Sequence, residues 1–295
     1  MRRLRKVAVI GVGLIGGSVA LAMRRGGLAA QVAGYDRDAG ALESAARLQV
    51  IDQVAESVSE ATRGAELVVI AVPVKAAAAV LHDVGLALDP SAVVTDVGST
   101  KAEVIEVARG ELRERFPRFV PGHPIAGREA SGVEAATAEL FKGARVVLTP
   151  VAETDTKAVE LVRNAWAGIG AKVSTLAAAD HDRIFAAVSH LPHLLSFALV
   201  SELASRPDAA DLFGFAAGGF RDFTRIAASS PEMWRDIALQ NREALLAELD
   251  RYGARLAVFR ELIEKGDGPA LERLLAEARS ARTAWAAPAR RSQAE

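Results

Sequence analysis

His123 lies in the stretch Gly122-His123-Pro124-Ile125-Ala126-Gly127, whose two glycines and proline predict a stiff turn. It is one of five histidines in the chain. Imidazole titrates near neutrality, so a ring fixed on a turn suits the acceptance of a proton; a loop histidine that merely hydrogen-bonds a carbonyl is the other reading. Two later segments carry groups of related use. Ser189-His190-Leu191-Pro192-His193 holds two histidines, and Gly218-Gly219-Phe220-Arg221-Asp222-Phe223-Thr224-Arg225 sets two arginines and an aspartate about a glycine pair. Arginine forks suit carboxylates, bidentate and charge-assisted; Arg225 is the expected clamp and Arg221 a solvated helix face. The histidine pair has metal-like spacing, but Pro192 lies between and neither cysteine nor a carboxylate cluster joins it, so no metal is expected.

A second kind of chemistry is written nearer the start. Gly11-Val12-Gly13-Leu14-Ile15-Gly16 follows an apolar run and opens a helical pattern, and Asp36 ends the next apolar run. In this order the segments form a dinucleotide fingerprint: Gly11 for the tight turn, Gly13 for close approach of the pyrophosphate, Gly16 for helix against strand, with Leu14 and Ile15 at the helix mouth. Asp36 would accept both ribose hydroxyls and repel a 2′-phosphate, which favours NAD over NADP, although Arg37 could stack on adenine or touch a phosphate. Val72 and Pro73 close a further strand beside the expected middle of the cofactor, or form a plain turn. In Asp96-Val97-Gly98-Ser99-Thr100-Lys101, at another strand end, Ser99 or Thr100 could cap the next helix or touch nicotinamide or substrate.

Positioning these groups requires a sheet with ligands at its carboxyl edge. Runs at Lys6 to Ile10, Gln31 to Tyr35, Leu67 to Val72 and Ala92 to Thr95 are nearly continuously apolar, as strands covered on both faces are. Helical patterns follow from about Leu14, Asp38, Lys75 and Thr100, and further strands are predicted at Phe119 to Val120 and Arg145 to Leu148, with a threonine-capped helix from Thr154 to Gly168. The expected fold is α/β: a doubly wound Rossmann-type parallel sheet domain over 1–170, then an all-helical substrate and dimerisation domain over 171–285 and a disordered tail over 286–295. Apart from a short run at Lys172 to Leu176, the second half is helical. Ser230-Pro231-Glu232 starts a helix of roughly thirty residues whose apolar positions exceed what one small chain buries, hence an expected homodimer.

Composition narrows the classes. The chain has 295 residues, 51% hydrophobic and 25% charged, with 36 basic against 37 acidic side chains and a net charge of −1. No global field draws nucleic acid or an anionic membrane, so anions must be held locally. The absence of cysteine excludes disulfides, thiolate metal sites and thiol catalysis, and leaves a cytoplasmic address unopposed. Arg2, Arg3, Arg5 and Lys6 before an apolar run imitate a secretory signal, but the glycines at 11, 13, 16 and 17 explain that run otherwise. No uninterrupted apolar segment approaches the roughly 18 residues of a membrane span.

Together, Gly11-x-Gly13-x-x-Gly16, Asp96-x-Gly98-Ser99-x-Lys101, Gly122-His123-Pro124-Ile125-Ala126-Gly127 with Ser131-Gly132, Ser189-His190-Leu191-Pro192-His193, Gly218-Gly219-Phe220-x-Asp222-x-Thr224-Arg225 and Met233-Trp234 resemble the prephenate and arogenate dehydrogenase family of tyrosine biosynthesis. The ordered set covers nearly the whole chain. The resemblance implies hydride transfer to a nicotinamide from the carbon bearing the ring hydroxyl, loss of the ring carboxylate as carbon dioxide, and His123 as acceptor of the hydroxyl proton. It implies Ser99 beside the reacting hydroxyl, His193 and Arg225 as substrate binders, and Gly218, Asp222 and Trp234 around the pocket, although Asp222 could orient an arginine and Trp234 could be core. His190 could replace His193 if the register slips. Arg128 faces the substrate side chain without deciding between a keto acid and an amino acid, so prephenate is the expected substrate and arogenate the alternative. His181, between Asp180 and Asp182, reads as a helix-start feature and His82 as part of a surface helix. Tyrosine control would act at the active site itself. Another two-domain hydroxy-acid dehydrogenase, for which the expected catalytic lysine is missing, and a non-catalytic NAD-binding protein are the more distant readings.

Overall fold

Alternation of side-chain faces decides the first half of the molecule. In the computed structural model, which describes residues 2–127 and 130–286, the chain runs β1 (Leu4–Ile10), α1 (Leu14–Arg25), β2 (Ala29–Tyr35), α2 (Ala39–Arg47), β3 (Gln53–Val54), α3 (Val58–Thr62) and β4 (Leu67–Ile70). It continues through α4 (Ala77–Ala87), β5 (Val93–Asp96), α5 (Ala102–Leu112), β6 (Phe119–Val120), β7 (Gly122–Ile125), β8 (Arg145–Leu148), α6 (Thr156–Gly168) and β9 (Lys172–Thr175). Among the described residues, β3-β2-β1-β4-β5-β6 form one six-stranded sheet, parallel throughout. On β1, Val7 and Val9 join a core with α1 and α6, while Ala8 and Ile10 join a second core with α3, α4 and α5. Both faces are covered, which is why these strands carry no polar alternation.

The expected doubly wound fold is therefore present, with an addition. Strands β7-β8-β9 make a separate sheet in which β7 and β8 are antiparallel and β8 and β9 parallel. His123 lies on β7, opposite Val147 of β8, and not in the turn that its flanking glycines predict. Extended backbone accommodates Pro124 here because β7 is an edge strand of that sheet.

Helix starts show where local signals hold. Asp38 caps α2 by accepting from Gly40 N and Ala41 N, and α6 begins at Asp155, which accepts from Lys157 N and Ala158 N. The expected cap Thr154 instead accepts from Val151 N, one turn earlier. Neither Ser99 nor Thr100 caps α5.

The helical part comprises α7 (Ala178–Phe185), a π turn (Ala186–His190), α8 (Leu191–Ala204), α9 (Ala209–Gly214), α10 (Gly218–Thr224), α11 (Pro231–Gln240), α12 (Arg242–Lys265) and α13 (Gly268–Ala286). Ser230 caps α11 as expected, its hydroxyl accepting from Met233 N. The single long helix does not form: the chain turns at Asn241, whose buried amide donates to Asp182 O at 2.8 Å and sits 3.0 Å from His190 Nδ1. By length and composition alone Ala178–Ala204 could cross a membrane. It buries the polar side chains of His181, Asp182, His190 and Ser196, each hydrogen-bonded within the fold.

The chain divides into two compact units, 1–245 and 246–295. In the second, Arg260 pairs with Glu264 and Lys265 with Glu261 along α12, and Leu256, Ile263 and Trp285 stay exposed. Of the tail expected over 286–295, Ala286 ends α13 and the remainder lies outside the described residues, as does Arg128.

Candidate active site

The glycine loop leaves β1 and enters α1. Gly11 has φ +93°, and a Cβ there would fall 2.4 Å from Ala71 O; at Gly16 it would fall 1.8 Å from Gly11 O. Both positions are closed to side chains by neighbouring backbone. Gly13 differs, since a Cβ would meet nothing within 4 Å. Open space thus lies over the mouth of α1, where no side chain caps the helix and Leu14, Ile15 and Gly13 are half-buried. Those features fit a pyrophosphate. Asp36 accepts from Val12 N at 2.9 Å and from Asp38 N at 3.0 Å, so its carboxylate is held against the loop at the end of β2, beside exposed Arg37. Val72, half-buried, reaches the same spot, its Cγ1 lying 3.2 Å from where the Gly11 Cβ would be, and exposed Pro73 follows.

At the end of β5 a buried ion pair organises the next group. Lys101 Nζ donates to Asp96 Oδ2 at 2.5 Å and to Gly122 O at 2.8 Å. Asp96 in turn accepts from Gly98 N and, through Oδ1, from Gly122 N at 3.0 Å. Gly122 is therefore held at both of its backbone polar groups, directly before His123. Burial pushes the Lys101 ammonium down, opposed by Asp96 and Asp182. Ser99 is half-buried between Gly98 and Thr100, and Thr100 Oγ1 donates to Gln240 Oε1 of α11 at 2.6 Å.

His123 meets a residue that its own sequence surroundings do not announce. His123 Nδ1 and His181 Nε2 are 2.8 Å apart, and His181 Nδ1 lies 2.7 Å from Asp182 Oδ1. Phe185 packs against both rings. The Asp182 carboxylate also accepts from Lys101 N and Ala102 N, capping α5 from another element. Burial, then the charges of Lys101, His181 and His190, hold His123 well below the ordinary imidazole range. Burial likewise lowers His181 despite Asp182. For Asp182 burial acts upward, but its hydrogen bonds from His181, Ala102 and Lys101 prevail and lower it.

The second histidine group faces the helical elements. His190 is buried beside Asn241, and burial brings it down to about 4. His193 is half-buried; its Nδ1 lies 2.8 Å from Ser189 O, and its ring stacks on Trp234 with centroids 3.7 Å apart and planes at 21°. Burial first, and then the charge of nearby Arg225, lower the His193 pKa. The structure thus brings His193 and Trp234 into contact, with Arg225 near enough to lower the His193 pKa, and the His190 ring meets Trp234 edge-on with centroids 6.0 Å apart. His82 stands apart on α4, 3.0 Å from Glu111, as a surface histidine should. Gly218 and Asp222 are exposed on α10, which Ser196 ties to α8 by donating to Phe223 O.

The sequence reading missed His181 and Asp182 as parts of this group. Their one local signal is a histidine-carboxylate neighbour pair in the first turns of a helix.

Residues 19–175 match the family model described as prephenate dehydrogenase, nucleotide-binding domain, and residues 177–277 the model described as prephenate dehydrogenase, dimerization domain. A cyclohexadienyl dehydrogenase of Zymomonas mobilis is 36% identical over 286 residues, 96% of this chain and 97% of that one. Among solved structures, prephenate dehydrogenase from Aquifex aeolicus in complex with hydroxyphenyl propionate and NAD+ superposes with TM-score 0.89 at 36% identity, covering 96% of this chain and 98% of that one. Arogenate dehydrogenase of Synechocystis gives TM-score 0.80 at 32% identity, over 95% and 99% of the two chains. Two models of one family laid end to end, with relatives matched over nearly their full length, place this chain in the prephenate dehydrogenase family.

Proposed function

We propose that the chain is an NAD-dependent prephenate dehydrogenase, converting prephenate to 4-hydroxyphenylpyruvate with release of carbon dioxide. The observation that carries this reading is a half-buried histidine held neutral at working pH, in a fold whose glycine loop is open at Gly13. When bound, NAD supplies the acceptor for the hydride leaving the carbon that bears the ring hydroxyl. His123 takes the hydroxyl proton at Nε2 and returns it to the oxygen once the ring carboxylate has left and the ring is aromatic. A base so placed contributes about 10²- to 10⁴-fold in rate. Ser99 hydrogen-bonds near that hydroxyl, Arg225 and His193 hold a carboxylate, and Trp234, Gly218 and Asp222 border the pocket. Gly11, Gly13, Leu14, Ile15 and Gly16 cradle the pyrophosphate, Asp36 and Arg37 take the adenosine end, and Val72 and Pro73 lie along its middle.

Substrate choice is read from charge: the Arg225 guanidinium near His193 favours dianionic prephenate over arogenate, which carries an ammonium as well. The likeness to an arogenate dehydrogenase and to a cyclohexadienyl dehydrogenase keeps arogenate as the second reading. Steady-state assays of both cyclohexadienols with NAD and NADP decide: the largest kcat/KM is expected for prephenate with NAD. A larger value for arogenate transfers the assignment, and no turnover of either rejects it.

We infer a homodimer, with the nucleotide part over 1–170 and the substrate and dimerisation part over 171–285. Phe215, 91% exposed, and Phe223 and Leu239 leave apolar surface on the helical elements that match the dimerization domain. Light scattering at the mass of two chains checks it. Tyrosine control, if present, would act at the same pocket and read as inhibition competitive with the cyclohexadienol. A cytoplasmic address suits a chain without cysteine.

A further inference from the structure

We propose that Asp182 and His181 act as positioning residues that fix which nitrogen of His123 carries the proton and then steady the cation formed when His123 accepts one. The inference rests on His123 being the proton acceptor.

The hydrogen-bond directions are forced from one end. Asp182 accepts three N–H groups, from Lys101 at 2.9 Å, Ala102 at 2.8 Å and His181 at 2.7 Å. An ionised carboxylate offers no proton, so His181 must carry its own on Nδ1. Neutral His181 then presents a lone pair at Nε2, 2.8 Å from His123 Nδ1. Only a donor fits there, so the His123 proton sits on Nδ1 and the Nε2 lone pair is left at the far end of the ring. The reverse arrangement would turn the His181 Nδ1 lone pair onto a carboxylate oxygen at 2.7 Å.

The same contacts matter once the proton is taken. Protonated at both nitrogens, His123 donates a charge-assisted bond to His181, with the Asp182 charge next in line. The groups facing the two rings are Lys101 at the start of α5, Asp96 at the end of β5, His190 in the π turn, and Asp182 with Phe185 on α7. Charge on Lys101, His181 or His190 opposes the His123 cation, whereas Asp182 and Asp96 act on His181; what steadies the cation is the bond that neutral His181 accepts from His123 Nδ1 at 2.8 Å, and removing that bond weakens the base.

Nitrogen-15 NMR of the full chain, labelled in histidine and saturated with NAD+, reads the proton position directly, and five histidines keep the spectrum assignable. The wild type is expected to show His123 protonated at Nδ1 and bare at Nε2. Asp182→Asn, whose amide can donate to His181, should move the His123 proton to Nε2 and lower kcat roughly 10²- to 10⁴-fold, with KM for NAD within about twofold. His181→Phe should populate both tautomers and shift the acidic limb of the kcat/KM profile to lower pH. His181→Gln, which keeps an acceptor, should recover part of the loss. Because Asp182 also caps α5, thermal unfolding of each variant separates lost fold from lost chemistry, and the two His181 variants stand if Asp182→Asn does not fold. A wild-type proton on Nε2, or tautomer and pH profile unchanged in the variants, overturns the proposal. Undiminished turnover in His123→Asn would instead remove the base itself, and the NMR result reports on the relay independently of that outcome.

Discussion

Lys101 and Asp96 form an ion pair removed from water: the ammonium is wholly buried, 2.5 Å from a carboxylate that is 5% exposed. Between them they also take the N–H and the C=O of Gly122, so the pair fastens the strand that carries His123. Breaking such a pair from one side leaves an uncompensated buried charge. Asp96→Ala is expected to cost about 3–5 kcal/mol, read as a lowered urea midpoint at unchanged slope.

His123→Asn should lower kcat by at least about 10²-fold while the dissociation constant for NAD stays within about twofold. Stopped-flow turnover and fluorescence titration of the nucleotide measure the two separately. Equal loss of both would move His123 from chemistry to cofactor binding.

Gly13 and Gly16 make opposite predictions. The Cβ of Gly13→Ala meets no protein atom within 4 Å, so unfolding temperature should hold while nucleotide affinity falls; Gly16→Ala must displace the Gly11 carbonyl and should unfold at lower temperature even without nucleotide. Calorimetric melting with and without NAD distinguishes them. A Gly13→Ala chain that binds NAD normally would place the pyrophosphate elsewhere.

Arg225→Ala should raise KM for the cyclohexadienol by roughly 10- to 100-fold, the worth of a charge-assisted hydrogen bond, and leave KM for NAD nearly unchanged. Trp234→Ala, which takes the stacked platform from His193, should act in the same direction by a smaller factor, about 2- to 10-fold. Initial-rate kinetics in both substrates show which KM moves.

Acid should unfold the protein earlier than its carboxylates alone require. His190 falls to about 4 when folded against an ordinary 6.5, so the unfolded chain binds the extra proton between these values. Its contribution is complete above about pH 6.5 and is lost as pH falls towards about 4. The lowered His123, His181 and His193 act in the same sense. Urea midpoints measured across that window should fall with pH, and His190→Gln should flatten the slope.

Legibility followed the reach of each interaction. Strands β1, β2, β4 and β5 were readable because burial on both faces writes itself as consecutive apolar residues, and the glycine loop because three glycines and Asp36 lie within one βαβ unit. The caps at Asp38 and Ser230 were equally local. The cap of α5 was not, since Asp182 arrives from about eighty positions away and leaves Ser99 and Thr100 for other partners. Asn241 breaks the expected long helix for the same reason: its amide is spent on Asp182 and His190. His181 passed for a helix-start residue because its value lies in what it touches, a ring 58 residues earlier in the chain.

Asp182 serves two masters with one carboxylate: it ends the exposed N–H groups of α5 and it orients the histidine pair. Selection therefore cannot sample the position freely. A chain that drifts there to relax its chemistry also loosens a helix of the nucleotide-binding half, and its product is removed as a misfolded protein before it can be tried as a new enzyme. Descendants that acquire other activities on this scaffold are expected to keep the aspartate and change the surroundings of His193 and Arg225 instead.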